Sequence, residues 1–90
     1  MRRKIILEIY ISNKEKIPIF VSRIKNILEE KSLDNKPSRS TIRKHVKVLL
    51  EFKYIRIINN KGKPKYLALT DSGKRIISLM KNEVINGIQN

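Results

Sequence analysis

The stretch of the sequence that decides the fold is SRSTIRKHVKVLLEFKYI, residues 38–55. It follows a proline, and Ser38 can cap a helix by accepting hydrogen bonds from backbone N–H groups. On a helix that advances roughly 100° per residue, the side chains form two groups. The aliphatic group is Ile42, Val46 and Leu49, and the polar and basic group, within an arc of about 140°, is Arg39, Ser40, Arg43, Lys44 and Lys47. The pattern predicts a helix over residues 38–52 with one buried face and one basic face.

The residues that follow predict a β-hairpin and a final helix. Residues 55–58 and 65–69 are rich in β-branched and aliphatic side chains, and residues 59–64 are dense in turn formers. Alternate strand residues can face each other, with Ile55 and Ile57 opposite Leu67 and Leu69. The final helix is expected over residues 71–88, because Thr70 can serve as its N-cap.

Two further helices are predicted before residue 38. One, over residues 18–31, begins at a proline suited to a first turn and carries its apolar residues on one face. The other covers residues 3–12, although its β-branched content also allows a strand. Its apolar residues point in nearly all directions, so such a helix must be covered on more than one side. The whole chain is therefore expected to be a single α+β domain, mostly helical, over residues 1–90.

The apolar patterns of the first and last helices also predict an oligomer. The last helix carries one apolar stripe, and such a stripe more often belongs to a core than to an interface. The other elements already compete for that core, however, so we expect a two-fold homodimer. The residues predicted to form its interface are Ile5, Ile9, Ile76, Met80, Val84 and Ile88.

Positive charge is concentrated in the middle of the chain. The formal net charge is +13 over 90 residues, and residues 36–65 hold ten basic residues and one acidic residue, a net charge of +9. A coding bias towards lysine would spread the charge evenly. The concentration favours one surface that meets a polyanion.

The basic helix face suits the major groove of double-stranded DNA. Arg39 and Arg43 can each bond guanine O6 and N7, whereas Lys44 and Lys47 suit phosphates. A solvated helix face would mix charges of both signs, and this arc holds no acid. Three lysines around Gly62 can reach a phosphate backbone or the minor groove, or can protect an edge hairpin from aggregation. The predicted DNA-binding residues are Ser38, Arg39, Ser40, Arg43, Lys44, Lys47, Lys61, Lys63 and Lys65.

Residues 38–55 resemble the recognition helix and exit turn of winged helix-turn-helix regulators, and LALTDSG, residues 67–73, resembles the wing strand that leads to that family's last helix. Small regulators of archaea and their viruses are the most similar in size and composition. The resemblance implies a DNA-binding transcriptional regulator with a C-terminal helix and a wing over residues 59–65. The chain departs from the family at Lys53, where a left-handed glycine usually ends the recognition helix. A residue other than glycine there costs about 1 kcal/mol.

Two other functions stay open: a sequence-tolerant architectural or RNA-binding protein, and a winged-helix module that binds an acidic protein partner. The chain is too short to enclose much of an active site and has no cysteine. His45, the single histidine, is expected to be structural. We therefore expect no enzyme activity, cofactor, metal or recognisable small-molecule ligand. No apolar run approaches the roughly 20 residues of a membrane span, so we expect a cytoplasmic, DNA-associated protein.

Overall fold

A computed structural model of the chain describes residues 1–31, 36–59 and 61–89, with side chains up to residue 81. Within these residues the fold has four helices and one antiparallel hairpin. The helices are α1 (Arg2–Lys14), α2 (Val21–Lys31), α3 (Arg39–Glu51) and α4 (Asp71–Gln89), and the strands are β1 (Ile55–Ile57) and β2 (Leu67–Leu69). The predicted α+β, mostly helical fold class is confirmed.

Helix α1 is the centre of the fold. It contacts α2, α3, α4 and β2, so its apolar residues are covered on several sides by the same chain. Ile5 and Ile9 are both 0% exposed. Neither side chain has surface left for another molecule, so Ile5 and Ile9 are not available for the predicted dimer contact, whereas Leu7 on the same helix is 38% exposed.

The hairpin has the register that the alternation of its residues predicts. Ile55 pairs with Leu69, and Ile57 pairs with Leu67. The outer edge of β2 is covered as well, because Leu67 N–H donates to the Ile19 carbonyl at 2.9 Å. The Asn13 carboxamide completes that edge: its Nδ2 donates to the Leu67 carbonyl at 3.2 Å, and its Oδ1 accepts from Leu69 N–H at 2.9 Å. The hairpin is thereby fixed to the end of α1.

Helix α2 begins later than its sequence predicts. The prediction placed its start at Pro18, whereas the helix begins at Val21. The reason is tertiary: the Ile19 carbonyl accepts a hydrogen bond from β2 instead of taking part in a helix, and the first bond of α2 runs from Ile24 N–H to the Phe20 carbonyl at 3.0 Å. The late start turns Phe20 towards the hairpin, where its ring centroid lies 5.9 Å from that of Tyr66.

Helix α3 ends through a left-handed residue. Lys53 has φ 61°, its N–H donates to the Leu50 carbonyl, and Tyr54 N–H donates to the Leu49 carbonyl, both at 3.0 Å. These two bonds form the usual glycine-type helix end, with a lysine in the position that favours glycine. The departure from the glycine pattern thus leaves the geometry of the helix end intact.

The start of α4 is tied to this helix end. Thr70 N–H donates to the Tyr54 carbonyl at 3.1 Å, and the Thr70 hydroxyl donates to the Lys53 carbonyl. The same hydroxyl accepts from Gly73 N–H at 3.2 Å, which makes Thr70 the predicted N-cap. A Cβ atom on Gly73 would lie 2.1 Å from the Tyr54 carbonyl oxygen. The Leu-Thr-x-x-Gly pattern therefore has a steric cause: only glycine allows α4 to start this close to the end of α3.

Candidate nucleic-acid interface

The start of α3 is set by Ser38. Its backbone is extended, and its Oγ accepts from Thr41 N–H at 3.1 Å and lies 2.9 Å from Thr41 Oγ1. The first turn contains no acidic residue. The positive end of the helix dipole therefore adds to the charge of the basic residues that follow, and the Ser38 hydroxyl is already engaged as a cap.

Helix α3 presents the two faces that its sequence predicts. Ile42, Val46 and Leu49 are buried against the core. The opposite face is exposed along its length and carries Arg39, Ser40, Arg43, Lys44 and Lys47. The apolar face holds the helix in place, so the basic face is presented on a fixed element.

The hairpin loop is shaped by Asn59. Its Nδ2 donates to the Pro64 carbonyl at 2.8 Å, and its Oδ1 accepts from Tyr66 N–H at 2.6 Å. Ile58 N–H also donates to the Tyr66 carbonyl at 3.0 Å. The lysines of this loop, Lys61, Lys63 and Lys65, are exposed. The side chain of one asparagine thus holds the base of a loop whose lysines face solvent.

An open groove of about 830 Å³ lies between α3, the hairpin and the start of α2. Its cations come from two elements that are far apart in sequence: Arg39, Arg43 and Lys47 from α3, and Lys63 and Lys65 from the hairpin. We call these five residues the groove cations. Its apolar lining includes Phe20, Val46, Leu50, Ile57 and Leu67. The structure therefore brings five of the nine predicted DNA-binding residues to one concave surface.

The other four predicted residues do not line the groove. Ser40 and Lys44 are exposed elsewhere on α3, Lys61 is exposed in the hairpin loop, and Ser38 caps the helix. Sequence reasoning missed the contribution of Phe20, Val21 and Ser22 at the start of α2. The sequence feature that could have indicated this contribution is Pro18, which lies in the segment before α2 and not in its first turn.

The groove cations face no acid among the residues that the structure describes. Lys25 pairs with Glu29 and Lys31 pairs with Glu8, and both pairs lie outside the groove. No described residue that lines the groove is acidic. Cations that converge without a carboxylate raise the local potential and attract a polyanion.

His45 lies at the other side of α3, close to the start of α1. Its pKa is lowered below the ordinary value by burial, and then by the positive charges of Arg2 and the N-terminal amine. In the described part of the chain, no three histidine, cysteine or acidic side chains lie together as metal ligands. Among these residues His45 has no partners for metal chemistry.

The residues predicted to form a dimer interface fall into three groups. Ile5 and Ile9 are enclosed by the chain itself. Ile76 and Met80 are half-buried against the core, so each retains some exposed surface. The side chains of Val84 and Ile88 lie outside the described residues. On the same helix Leu79 is 58% exposed, and it was not among the predicted residues.

No protein-family model, curated protein or solved structure matches this chain. No helix in the part of the chain that the structure describes combines the length and the apolar character needed to cross a membrane.

Proposed function

We propose that the chain is a sequence-specific, double-stranded DNA-binding transcriptional regulator of the winged helix-turn-helix type. In this proposal α3 enters the major groove and the hairpin, as the wing, contacts the adjacent backbone or the minor groove. The observation that carries the proposal is the groove itself, where cations from α3 and from the hairpin converge and none of the described lining residues is acidic.

The dimensions of α3 support binding to duplex DNA. Arg39 and Lys47 are eight residues apart, so the basic face extends about 12 Å along the helix axis. The major groove of B-DNA is about 12 Å wide and admits an α-helix. Arg39 and Arg43 are one turn apart on this face and can reach guanines of neighbouring base pairs, while Lys47 reaches the backbone.

The aromatic residues argue against readout of single strands. Recognition of single-stranded RNA or DNA depends on exposed rings on which bases stack. Phe20 lines the groove, but it is half-buried and packs against the half-buried Tyr66. The exposed ring, Phe52 at 62%, is not among the residues that line the groove. Duplex DNA is therefore the nucleic acid that this surface fits best.

The proposal includes a homodimer that binds a palindromic site. Two α3 helices related by a two-fold axis would contact half-sites about one helical turn apart. The contact is proposed on α4, where Leu79 is exposed and where Ile76 and Met80 are half-buried. A monomeric mass in light scattering at micromolar concentration, with and without duplex, would refute the dimer and leave the groove unaffected.

The test of DNA recognition compares two arginines. Selection from a pool of random duplexes is followed by fluorescence anisotropy on the selected site, for the wild type, Arg43→Ala and Arg75→Ala. Arg75 is exposed on α4 and does not line the groove, so it controls for the loss of one positive charge.

We expect Arg43→Ala to reduce discrimination between the selected and random duplexes by about 1–3 kcal/mol, the value of one bidentate base contact. Arg75→Ala should retain the discrimination. Tight binding that is indifferent to sequence and to Arg43 would instead support an architectural role. A chain that prefers single strands, or that binds no nucleic acid at low salt, would refute the proposal.

A further inference from the structure

A second surface lies away from the groove, at the junction of α1, α3 and α4. It is a cleft of about 320 Å³ lined by Arg2, Arg3, Ile6, Val48, Leu49, Phe52, Tyr54 and Ile76. We call it the Phe52 cleft. Phe52 stacks on Tyr54 with ring centroids 5.9 Å apart and an interplanar angle of 21°. The stacking fixes one face of the Phe52 ring and leaves 62% of the residue exposed.

The fold does not require an aromatic residue at position 52. Phe52 is the C-cap of α3, and the hydrogen bonds that end the helix are made by backbone groups around Lys53. A polar residue would satisfy the same backbone geometry without exposing a ring to water. Exposed apolar surface that is grouped beside a cleft is typical of a binding site for another protein.

The charge around the cleft indicates the kind of partner. Arg2 and Arg3 line the cleft, and none of the described residues that line it is acidic. The positive charges of Arg2 and the N-terminal amine also contribute to the lowered pKa of His45 nearby. An apolar cleft with a positive rim is complementary to a segment that carries carboxylates beside a bulky apolar side chain.

We propose that the Phe52 cleft binds an acidic amphipathic segment of another protein. One aromatic or long aliphatic side chain of that segment would enter the cleft against Phe52, and its carboxylates would meet Arg2. A second copy of the chain fits the cleft less well than such a segment does. In a two-fold contact this surface would face itself, which would place positive charge against positive charge.

The Phe52 cleft and the groove can be occupied at the same time. Val48 lies about 140° around the helix from Arg43, so the two surfaces use different sides of α3. The inference does not depend on the proposed DNA contact, because no residue that lines the cleft lines the groove, although Ile76 also belongs to the proposed dimer contact. If both proposals hold, the partner binds while the basic face stays on DNA.

The test is a selection of random peptides displayed on phage against the full-length chain, with Phe52→Ala as the counter-selection. Counter-selection removes peptides that bind the groove cations, since those are unchanged in the variant. Because Phe52 is exposed, the variant should keep its helix content by circular dichroism. Ile58→Ala is the matched control, since Ile58 is a similarly exposed apolar residue that lines neither the cleft nor the groove and has no part in the proposed dimer contact.

The expected peptides carry Asp or Glu beside one bulky apolar residue. They should bind the wild type and Ile58→Ala equally, and bind Phe52→Ala about tenfold more weakly or worse, as for a central aromatic contact. Replacement of their acids by amides should also weaken binding. The proposal is overturned if no peptide survives the counter-selection, or if the survivors lack acids or an apolar anchor. It is likewise overturned if Phe52→Ala converts a dimer to a monomer in light scattering, because a second copy then occupies the cleft.

Discussion

The salt dependence of DNA binding can be calculated from the groove cations. Each phosphate neutralised on B-DNA contributes about 0.9 to the slope of log affinity against log salt concentration. In the proposed arrangement Lys47, Lys63 and Lys65 meet phosphates, so the slope for each bound chain is about −2.7. Between roughly 50 and 200 mM salt, affinity should then fall about 40-fold. If Arg39 and Arg43 met phosphates instead of bases, the slope would steepen to about −4.5.

The perturbation that tests this calculation is the pair Lys63→Ala and Lys65→Ala in one chain. It removes two groove cations and should make the slope shallower by about 2. The matched control is Lys74→Ala with Arg75→Ala, which removes the same charge from exposed positions on α4. Fluorescence anisotropy of one labelled duplex, titrated at several salt concentrations, gives the three slopes. The control slope should equal that of the wild type.

The reasoning fails if the two double variants change the slope equally. Binding would then report the net charge of the whole chain rather than a defined surface. It also fails if the hairpin variant leaves the slope unchanged, since the hairpin lysines would then lie away from the phosphates. A wild-type slope shallower than about −2 would mean that most groove cations meet no phosphate.

Three further predictions concern stability. Gly73→Ala should lower the free energy of unfolding by about 3 kcal/mol, because the added Cβ would meet the Tyr54 carbonyl oxygen. Urea unfolding measures this change, and a value below about 1 kcal/mol would show that α4 can move. Lys53→Gly should stabilise the chain by about 0.5–1 kcal/mol, because glycine adopts the positive φ of this position without strain. Lys53→Ala should not stabilise it, so equal stabilities of the two variants would contradict this reasoning. Stability should fall as the pH drops through the ordinary histidine range, because the lowered pKa of His45 means that the unfolded chain binds this proton more readily. Thermal unfolding between about pH 5 and pH 8 should show this fall, and His45→Gln should reduce it; an unaltered pH profile in the variant would exclude His45 as its source.

The parts of the fold that sequence predicted well depend on local rules. Ser38 caps α3, the period of its aliphatic residues buries one face, and alternation in the strands fixes the register of Ile55 with Leu69. Each of these rules operates within a few residues or between strands joined by one turn. The basic face of α3 was predictable for the same reason, because helical spacing alone determines which residues share it.

The parts that sequence missed depend on contacts between distant residues. Pro18 reads as a helix start, but the bond from Leu67 N–H to the Ile19 carbonyl keeps this segment extended. The groove between α3 and the hairpin was not predictable as a cavity, since the segment around Phe20 meets the hairpin through contacts between residues distant in sequence. The apolar surface of α1 was expected to be covered, and Ile5 and Ile9 take their cover from the same chain.

The hydrogen bonds that join the end of α3 to the start of α4 have a consequence for how this protein can vary. Thr70 donates its N–H to the Tyr54 carbonyl and its hydroxyl to the Lys53 carbonyl, so the hairpin between these residues begins and ends at one fixed place. Residues added or removed near Gly62 would change only the reach of the loop, and neither helix would have to move. The loop can therefore be lengthened, shortened or exchanged without a change in the positions of α3 and α4.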